Sequence, residues 1–328
     1  VTGFLHMGHA LDHTIQDVVV RWKRMSGFNT LWLPGADHAG IATQSVVEKE
    51  LKKSQTSRHE LGREAFLAKV WEWKNKYGDR ICKQMRYLGD SCDWDRLVFT
   101  LDPGVSKAVR KVFVSLYSKG WIYRGKKLVN WSGPLETAIS DLEVEHKQVK
   151  GSLWHIDYRV EGSSEILTIA TTRPETLLGD TAVAVHPEDT RYKHLIGQNV
   201  ELPLLGRKIP IIADEYVDKT FGSGVVKITP AHDFNDYKIA KTHKLPMINI
   251  LNTRCELNEN AGPYKGLSVI AARKKVLEDL QRDGLLRKEE PHLLNVGHCS
   301  RSGAVVEPFL SEQWFVKTRH LAQPAKRA

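Results

Sequence analysis

Apolar residues at Leu11, Ile15, Val18, Val19, Trp22 and Met25 recur at helical spacing, and Gly27 supplies a stop. The run "NTLWLPG" (29–35) predicts a short buried strand ended by Pro-Gly, with a helix from about Ile41. A longer helix carries Phe66, Val70, Trp73, Tyr77, Ile81 and Leu88 on one face. The run 104–120 predicts another, closed by Gly120, and "KKLVNW" (126–131) a strand. Strands alternating with helices predict an α/β layer with a parallel sheet.

Near Lys150 the apolar spacing shortens to that of a strand. "SLWHIDYRV" puts Trp154, Ile156, Tyr158 and Val160 on one face and His155, Asp157 and Arg159 on the other. The turn "EGSS" and the strand "EILTIA" complete a hairpin. "TAVAVH", "KIPIIA", "GSGVVKIT" and "MINIL" predict further strands, with helices near 233–243 and 270–282. The chain therefore divides into an α/β layer over 1–150, a β-rich insertion over 151–290 and a return segment over 291–328. No repeat or low-complexity segment interrupts it.

Composition narrows the class. Of 328 residues 41% are hydrophobic, ample for buried cores, and 27% are charged, which excludes wholesale disorder. The net charge of +9 favours a polyanionic partner. Cys82, Cys92, Cys255 and Cys299 lie far apart with no C-x-x-C pair, so reduced thiols are expected rather than a disulfide framework. No apolar run reaches the length of a membrane span. The start lacks both an initiator Met and a signal-peptide pattern, so Val1 reads as a cut inside a longer protein.

Two clusters can carry chemistry in the first layer. "HMGH" opens a helix, where free N–H groups and a partial positive charge suit phosphate. His6 and His9 add ring donors on the same side, and Gly8 lets a flat base approach the backbone. Such a device stabilises charge on phosphorus during displacement; alone, it equally fits two surface histidines. "GADHAGIATQ" (35–44) follows the next predicted strand, where α/β sheets keep their ligand crevice. Asp37 there suits an ammonium group, or a simple helix cap.

The insertion carries a second set. "TTRPET" offers Thr171, Thr172 and Arg173 to a sugar or phosphate. Lys227 and Thr229 occupy alternate positions of a strand and share a face. Asp233 and Asp236, spaced i, i+3 at a helix start, can point into one pocket or compensate the helix charge.

"VTGFLHMGHA", "LWLPGADHAGIATQ", "FVSLYSKGWIYRGKKLVNW" and "SDLEVE" together resemble the class I aminoacyl-tRNA synthetases, in their valyl branch. "TIATTRPETLLGDTAVAVHPED" (168–189) and "FGSGVVKITPAHDFNDY" (221–237) resemble the editing domain of that branch. The isoleucyl and leucyl branches usually carry a Trp-Asp-x-His-Gly-Leu pattern in place of the second motif. The resemblance implies an incomplete Rossmann-like catalytic fold over 1–150, resumed in 291–328, and an inserted barrel-like α/β editing domain over 151–290.

The implied activity is activation of valine with ATP and Mg²⁺, transfer to tRNA(Val), and hydrolysis of mischarged threonyl-tRNA(Val). His6 and His9 would contact the ATP phosphates, Gly8 would lie under the adenine, and Asp37 would hold the valine amino group. In the editing pocket Asp236 would bind the α-amino group, while Lys227, Thr229 and Asp233 would surround the threonyl side chain. Phe221 and Arg173 would line the adenosine end, beside Thr171 and Thr172. Editing answers a physical limit, long known for valine enzymes: a hydrophobic pocket rejects isosteric threonine by only about 100-fold. A monomer in the cytoplasm or an organelle is expected.

Many relatives carry a Cys pair just after "NW". Here Ser132 and Leu135 stand there, and Cys299 alone cannot hold zinc, so no structural zinc is expected. The family's second ATP signature and anticodon-binding helices are absent, so the chain reads as a fragment. Two alternatives stand: an isoleucyl or leucyl enzyme of the same class, and, from another class, a stand-alone RNA-binding or deacylase protein that needs only the editing motifs. The intact "HMGH" and "GADHAG" argue against the latter.

Overall fold

A computed structural model describes residues 5–327; the "VTGF" that opens the first motif lies outside them. The chain divides into two compact units, one within Val1–Tyr123 and Phe315–Ala328, the other Arg124–Trp314.

In the first unit, helix α1 (Met7–Met25) starts at the N-cap His6. Strand β1 (Gly35–Ala36) and helix α2 (Gly40–Lys53) follow. Helix α3 (Arg58–Leu88) is capped by the Ser57 hydroxyl, which accepts the Glu60 N–H, and it breaks at Gly62, whose φ of 76° is left-handed. Strand β2 (Val98–Phe99) pairs in parallel with β1, and helix α4 (Pro103–Ser118) has Pro at its first turn. Val47, Leu51 and Phe66 form a small core with Leu61, Val70 and Trp73. His13 meets Asp90 at 2.9 Å, and Asp17 accepts the Ser91 N–H at 2.9 Å, tying α1 to the end of α3. Helices α1 and α4 bury no residue; Leu11, Ile15, Val18 and Trp22 are exposed.

Here two expectations need correction. The run 29–34 is not a strand, and Leu31 and Leu33 are exposed. The parallel sheet of this unit amounts, among the described residues, to the two-residue ladder of β1 and β2. The short apolar run of "NTLWLPG" makes only scattered backbone bonds, Asp93 N–H to the Trp32 carbonyl at 2.9 Å and Val98 N–H to the Pro34 carbonyl at 3.3 Å, and among the described residues no ladder forms before Gly35.

The second unit holds β3 (Ile122–Ser132) from Arg124 onward, β4 (Thr137–Ile139), β5 (Val144–Val160), β6 (Ile166–Thr171), β7 (Ala182–Val185), β8 (Asn199–Glu201), β9 (Lys208–Ala213) and β10 (Val225–Ile228). Helices α5 (Phe234–His243) and α6 (Val269–Arg282) follow, then β11 (Leu286–Cys299) and β12 (Glu307–Val316). The compact region is wider than 151–290: β5 runs unbroken through Gly151, and β3, β4 and β12 form a three-stranded sheet of their own.

The main sheet is seven-stranded, ordered β10-β7-β9-β8-β5-β11, with β6 also on β5. Strand β6 lies alongside β10, so the sheet nearly closes on itself. As the alternation predicts, Trp154, Ile156, Tyr158 and Val160 all face the core, joined by Ile169, Val183, Val200 and Ile211. Ala272, Val276 and Leu280 of α6 join the same core. Each fully buried large aliphatic side chain contributes about 1.5–3 kcal/mol. The "MINIL" run is not a strand; only an isolated bridge joins Leu251 to Leu257. Its backbone is instead held by side chains: Ile250 N–H donates to His232 and Leu251 N–H to Asn249. A last helix, α7 (Thr318–Arg327), returns to the first unit.

Candidate functional site

The first unit arranges its two histidines through the helix start. His6 Nδ1 accepts the Gly8 N–H at 3.2 Å, and His9 Nδ1 accepts the His6 N–H at 3.3 Å. This is a reciprocal capping box built from imidazoles. With both Nδ1 atoms accepting, the neutral rings carry their protons on Nε2. The ring centroids lie 3.9 Å apart, and both side chains are exposed. A Cβ on Gly8 would sit 3.0 Å from His6 Cε1, so any larger residue pushes the capping ring aside. The result is two N–H donors at a helix N-terminus, which suits an anion.

Asp37 directly follows β1 at its carboxyl end. Its Oδ1 faces His38 Nδ1 at 3.3 Å and the Thr100 hydroxyl at 3.4 Å, and Thr100 directly follows β2. Asp37 is not a helix cap: the N-cap of α2 is Ala39, whose φ of 56° is left-handed. Its carboxylate is exposed, with room for a cation.

In the second unit the "TTRPET" turn (171–176) leaves β6 as a buried 3₁₀ turn. Thr171 is buried, and its hydroxyl accepts the Arg173 N–H at 3.1 Å. Arg173 Nε donates to Glu175 at 3.3 Å, its Nη1 to the His232 carbonyl at 3.2 Å, and its Nη2 to Glu307. Burial works to lower the Arg173 pKa, and the charges of Glu307 and Glu175 outweigh it and raise it. Glu175, itself buried, also receives Arg273 at 2.8 and 2.9 Å. Burial works to raise its pKa, but Arg273 and Arg173 hold it below the ordinary value. Thr172 and Arg173 line a cavity of about 790 Å³ together with Trp154, Arg273, His292 and Glu307, a size ordinary for small-molecule sites.

Strand β10 and the start of α5 supply the rest. Lys227 Nζ donates to Thr176 at 2.9 Å, to Asp180 at 3.2 Å and to the Thr229 hydroxyl. Thr229 N–H donates to Asp236 Oδ2 at 2.8 Å. Burial, reinforced by the charge of Asp233, pushes the Asp236 pKa up to about 7. Asp233 is exposed and caps α5, accepting the N–H groups of Asn235 and Asp236 at 2.7 and 3.1 Å. The two aspartates thus differ in setting, one solvated cap and one buried acid. Phe221 is exposed on a turn whose Gly222, at φ 58°, packs against Ala170 beside Thr171.

The structure therefore joins Lys227, Thr229 and Asp236 directly, and joins them to the 171–176 turn through Thr176. It does not put Thr172 into that contact set. Sequence reasoning missed Thr176, Asp180, Tyr158, Glu175 and Glu307. Asp180 has no exposed surface and accepts from Tyr158 at 2.7 Å. Acids inside the otherwise apolar and threonine-rich run 168–185 were the available signal, since a buried carboxylate demands partners. His232 looks like a general base and is not one. It is buried, accepts the Ile250 N–H at Nε2 and faces the Pro308 carbonyl at Nδ1. Burial and Arg173 push its pKa down to about 3.

Ser132 and Leu135, where a thiol pair would be needed for a zinc knuckle, sit next to Cys299. Ser132 Oγ lies 3.2 Å from Ser302 Oγ, beside Cys299, and Leu135 packs with Ile139, Cys299 and Val306. Burial works to raise the Cys299 pKa, while hydrogen bonds from Ser302 and Ser132 lower it. One thiol, two hydroxyls and an alkyl group do not fit zinc, which takes four ligands from thiolates, imidazoles and carboxylates.

Comparison with known proteins gives one consistent result. The family model described as tRNA synthetases class I (I, L, M and V) matches residues 1–328. The chain is 75% identical over 327 residues to a valine–tRNA ligase of Bdellovibrio bacteriovorus, covering all of this chain and 37% of that one. It is 60% identical to a valine–tRNA ligase of Carboxydothermus hydrogenoformans and 57% to that of Thermotoga maritima, covering 37% and 38% of them. The chain thus spans little more than a third of the length of these relatives.

Proposed function

Because this chain belongs to the class I tRNA synthetases (I, L, M and V), we propose that it is the front of the catalytic domain and the editing domain of a valine–tRNA ligase. The unit containing α1 to α4 is the first part of the Rossmann-like catalytic domain. The apolar faces of α1 and α4 are where the remainder of such an enzyme packs.

In activation, the valine carboxylate attacks the α-phosphorus of ATP and pyrophosphate leaves. His6 and His9 offer their Nε2–H groups to phosphate oxygens and, with the N-terminus of α1, stabilise the charge that builds up during displacement. In that tautomer they are donors and not metal ligands, so Mg²⁺ would come with ATP and supply charge neutralisation rather than be held by these residues. Gly8 keeps the backbone open to the adenine, and Asp37 holds the valine ammonium.

In editing, water attacks the ester carbonyl of threonyl-tRNA(Val), and the bond to the terminal ribose breaks. Asp236 binds the α-ammonium, with Lys227, Thr229 and Asp233 around the threonyl side chain. Thr171, Thr172, Arg173 and Phe221 receive the tRNA 3′ end. His232 is locked by two backbone partners, and all three protons of Lys227 are engaged. The site therefore works by orienting water and ester rather than by a side-chain nucleophile.

The observation that carries the reading is the buried network joining Thr176, Lys227, Thr229 and Asp236. Its test is release of threonine from threonyl-tRNA(Val), comparing the chain with Asp236→Ala; equal rates overturn the editing assignment. For the synthetic half, ATP–pyrophosphate exchange by the full-length enzyme is expected to be strongest with valine, and strongest exchange with isoleucine overturns it.

A further inference from the structure

We infer that Asp180 is a positioning residue of the editing pocket, which it makes selective for hydroxyl-bearing esters; the inference rests on the deacylase reading above. Asp180 has no exposed surface, so it acts only through its neighbours. Its Oδ2 accepts the Tyr158 hydroxyl at 2.7 Å, and Tyr158 is itself fully buried. Its Oδ1 accepts the Thr229 hydroxyl and Lys227 Nζ. Its backbone carbonyl accepts Arg207 Nη2 at 2.8 Å, so the residue is held at both its main chain and its side chain.

The consequence follows from counting protons. A threonine hydroxyl has one proton and two lone pairs. Thr229 gives its proton to Asp180, and Thr176 gives its proton to the Arg173 carbonyl at 2.9 Å. Both hydroxyls then accept from Lys227. The ammonium of Lys227 spends its three protons on Thr176, Thr229 and Asp180. Among the described residues, what the cluster leaves unused is acceptor capacity: one lone pair on each threonine hydroxyl and Oδ1 of Asp236. A pocket of acceptors is satisfied by a ligand that brings donors, an α-ammonium and a side-chain hydroxyl. A valyl ester has a methyl where the threonyl ester has the hydroxyl, and it leaves those acceptors unpaired.

Removing the Asp180 carboxylate undoes that polarity. With Asp180→Asn the counterion of Lys227 is gone and an amide N–H enters the cluster, so Thr229 is free to turn its proton toward the ligand. The experiment uses full-length ligase and measures kcat and KM for deacylation of threonyl-tRNA(Val) and of valyl-tRNA(Val) over a pH series. The expected result is at least about a tenfold fall in the threonyl-to-valyl ratio of kcat/KM, carried mainly by kcat, with a changed pH profile. A merely structural role lowers both rates together and leaves the ratio unmoved, which overturns the inference.

Tyr158→Phe removes one donor to Asp180 while keeping the ring, and its ratio is expected to fall about threefold or more. If Asp180→Asn does not fold, an unchanged ratio in Tyr158→Phe overturns the inference in its place. If the unaltered ligase does not hydrolyse threonyl-tRNA(Val), the deacylase reading and this inference fall together. If it does hydrolyse it and the variants keep the ratio, only this inference falls.

Discussion

Thr229 and Asp236 are joined main chain to side chain, the N–H of Thr229 donating to Asp236 Oδ2 across 2.8 Å. That bond holds a carboxyl whose burial and whose neighbour Asp233 push its pKa up to about 7. Its contribution to stability is complete below the ordinary carboxyl value and is lost as pH rises through 7. Asp236→Asn keeps an acceptor for Thr229 and does not titrate. Between about pH 4 and pH 8 its unfolding free energy should gain on the unaltered chain by roughly 2–4 kcal/mol, read from urea titrations. Threonyl-tRNA(Val) hydrolysis should rise with pH through the same value and lose that limb in the variant.

Glu175 pairs with two arginines from different parts of the second unit, Arg173 and Arg273. Glu175→Gln leaves both cations with less charge to meet. A loss of about 3–5 kcal/mol is expected, the usual result of breaking a buried pair by removing one partner. Equilibrium denaturation of the chain measures it.

Gly8 is fixed by the 3.0 Å approach of His6 to the place a Cβ would take. Gly8→Ala should displace the His6 ring and break the capping pair. Valine-dependent pyrophosphate exchange by full-length enzyme should fall by about 10- to 100-fold. The thermal midpoint should move little, because this turn is exposed.

The Ser132, Leu135, Cys299 and Ser302 group has one thiol where a structural zinc needs four donor atoms. Elemental analysis of purified protein should find no stoichiometric zinc, and a chelator should leave the melting temperature unchanged.

Much of the fold was legible because the periods were strong. The stripe along α1 and the alternation from Trp154 to Val160 each led to the element found. "NTLWLPG" and "MINIL" misled because a short apolar run says nothing about whether a neighbouring strand exists. In the site, Lys227 and Thr229 were legible as a pair because strand alternation puts them on one face. Their support was not. Asp180 meets Tyr158 and Lys227 across 22 and 47 residues, and Glu175 meets Arg273 across 98. Such partnerships depend on how the sheet closes, which no local pattern encodes.

Strand β5 pairs with β11 from Val144 opposite Cys299 to Ile156 opposite Leu286. The two edges of this ladder are made far apart in time on the ribosome. Tyr158, Thr176, Asp180, Lys227, Thr229 and Asp236 are all synthesised before β11 joins their sheet. The unit must wait, with β5 bare along one side, until Cys299 has left the exit tunnel. Pairings of such separation fold slowly and expose a strand edge meanwhile. Among the described pairings, the stretch from Val144 to Leu153 therefore has no ladder partner until β11 is made, whereas Trp154 already meets Thr171 of β6.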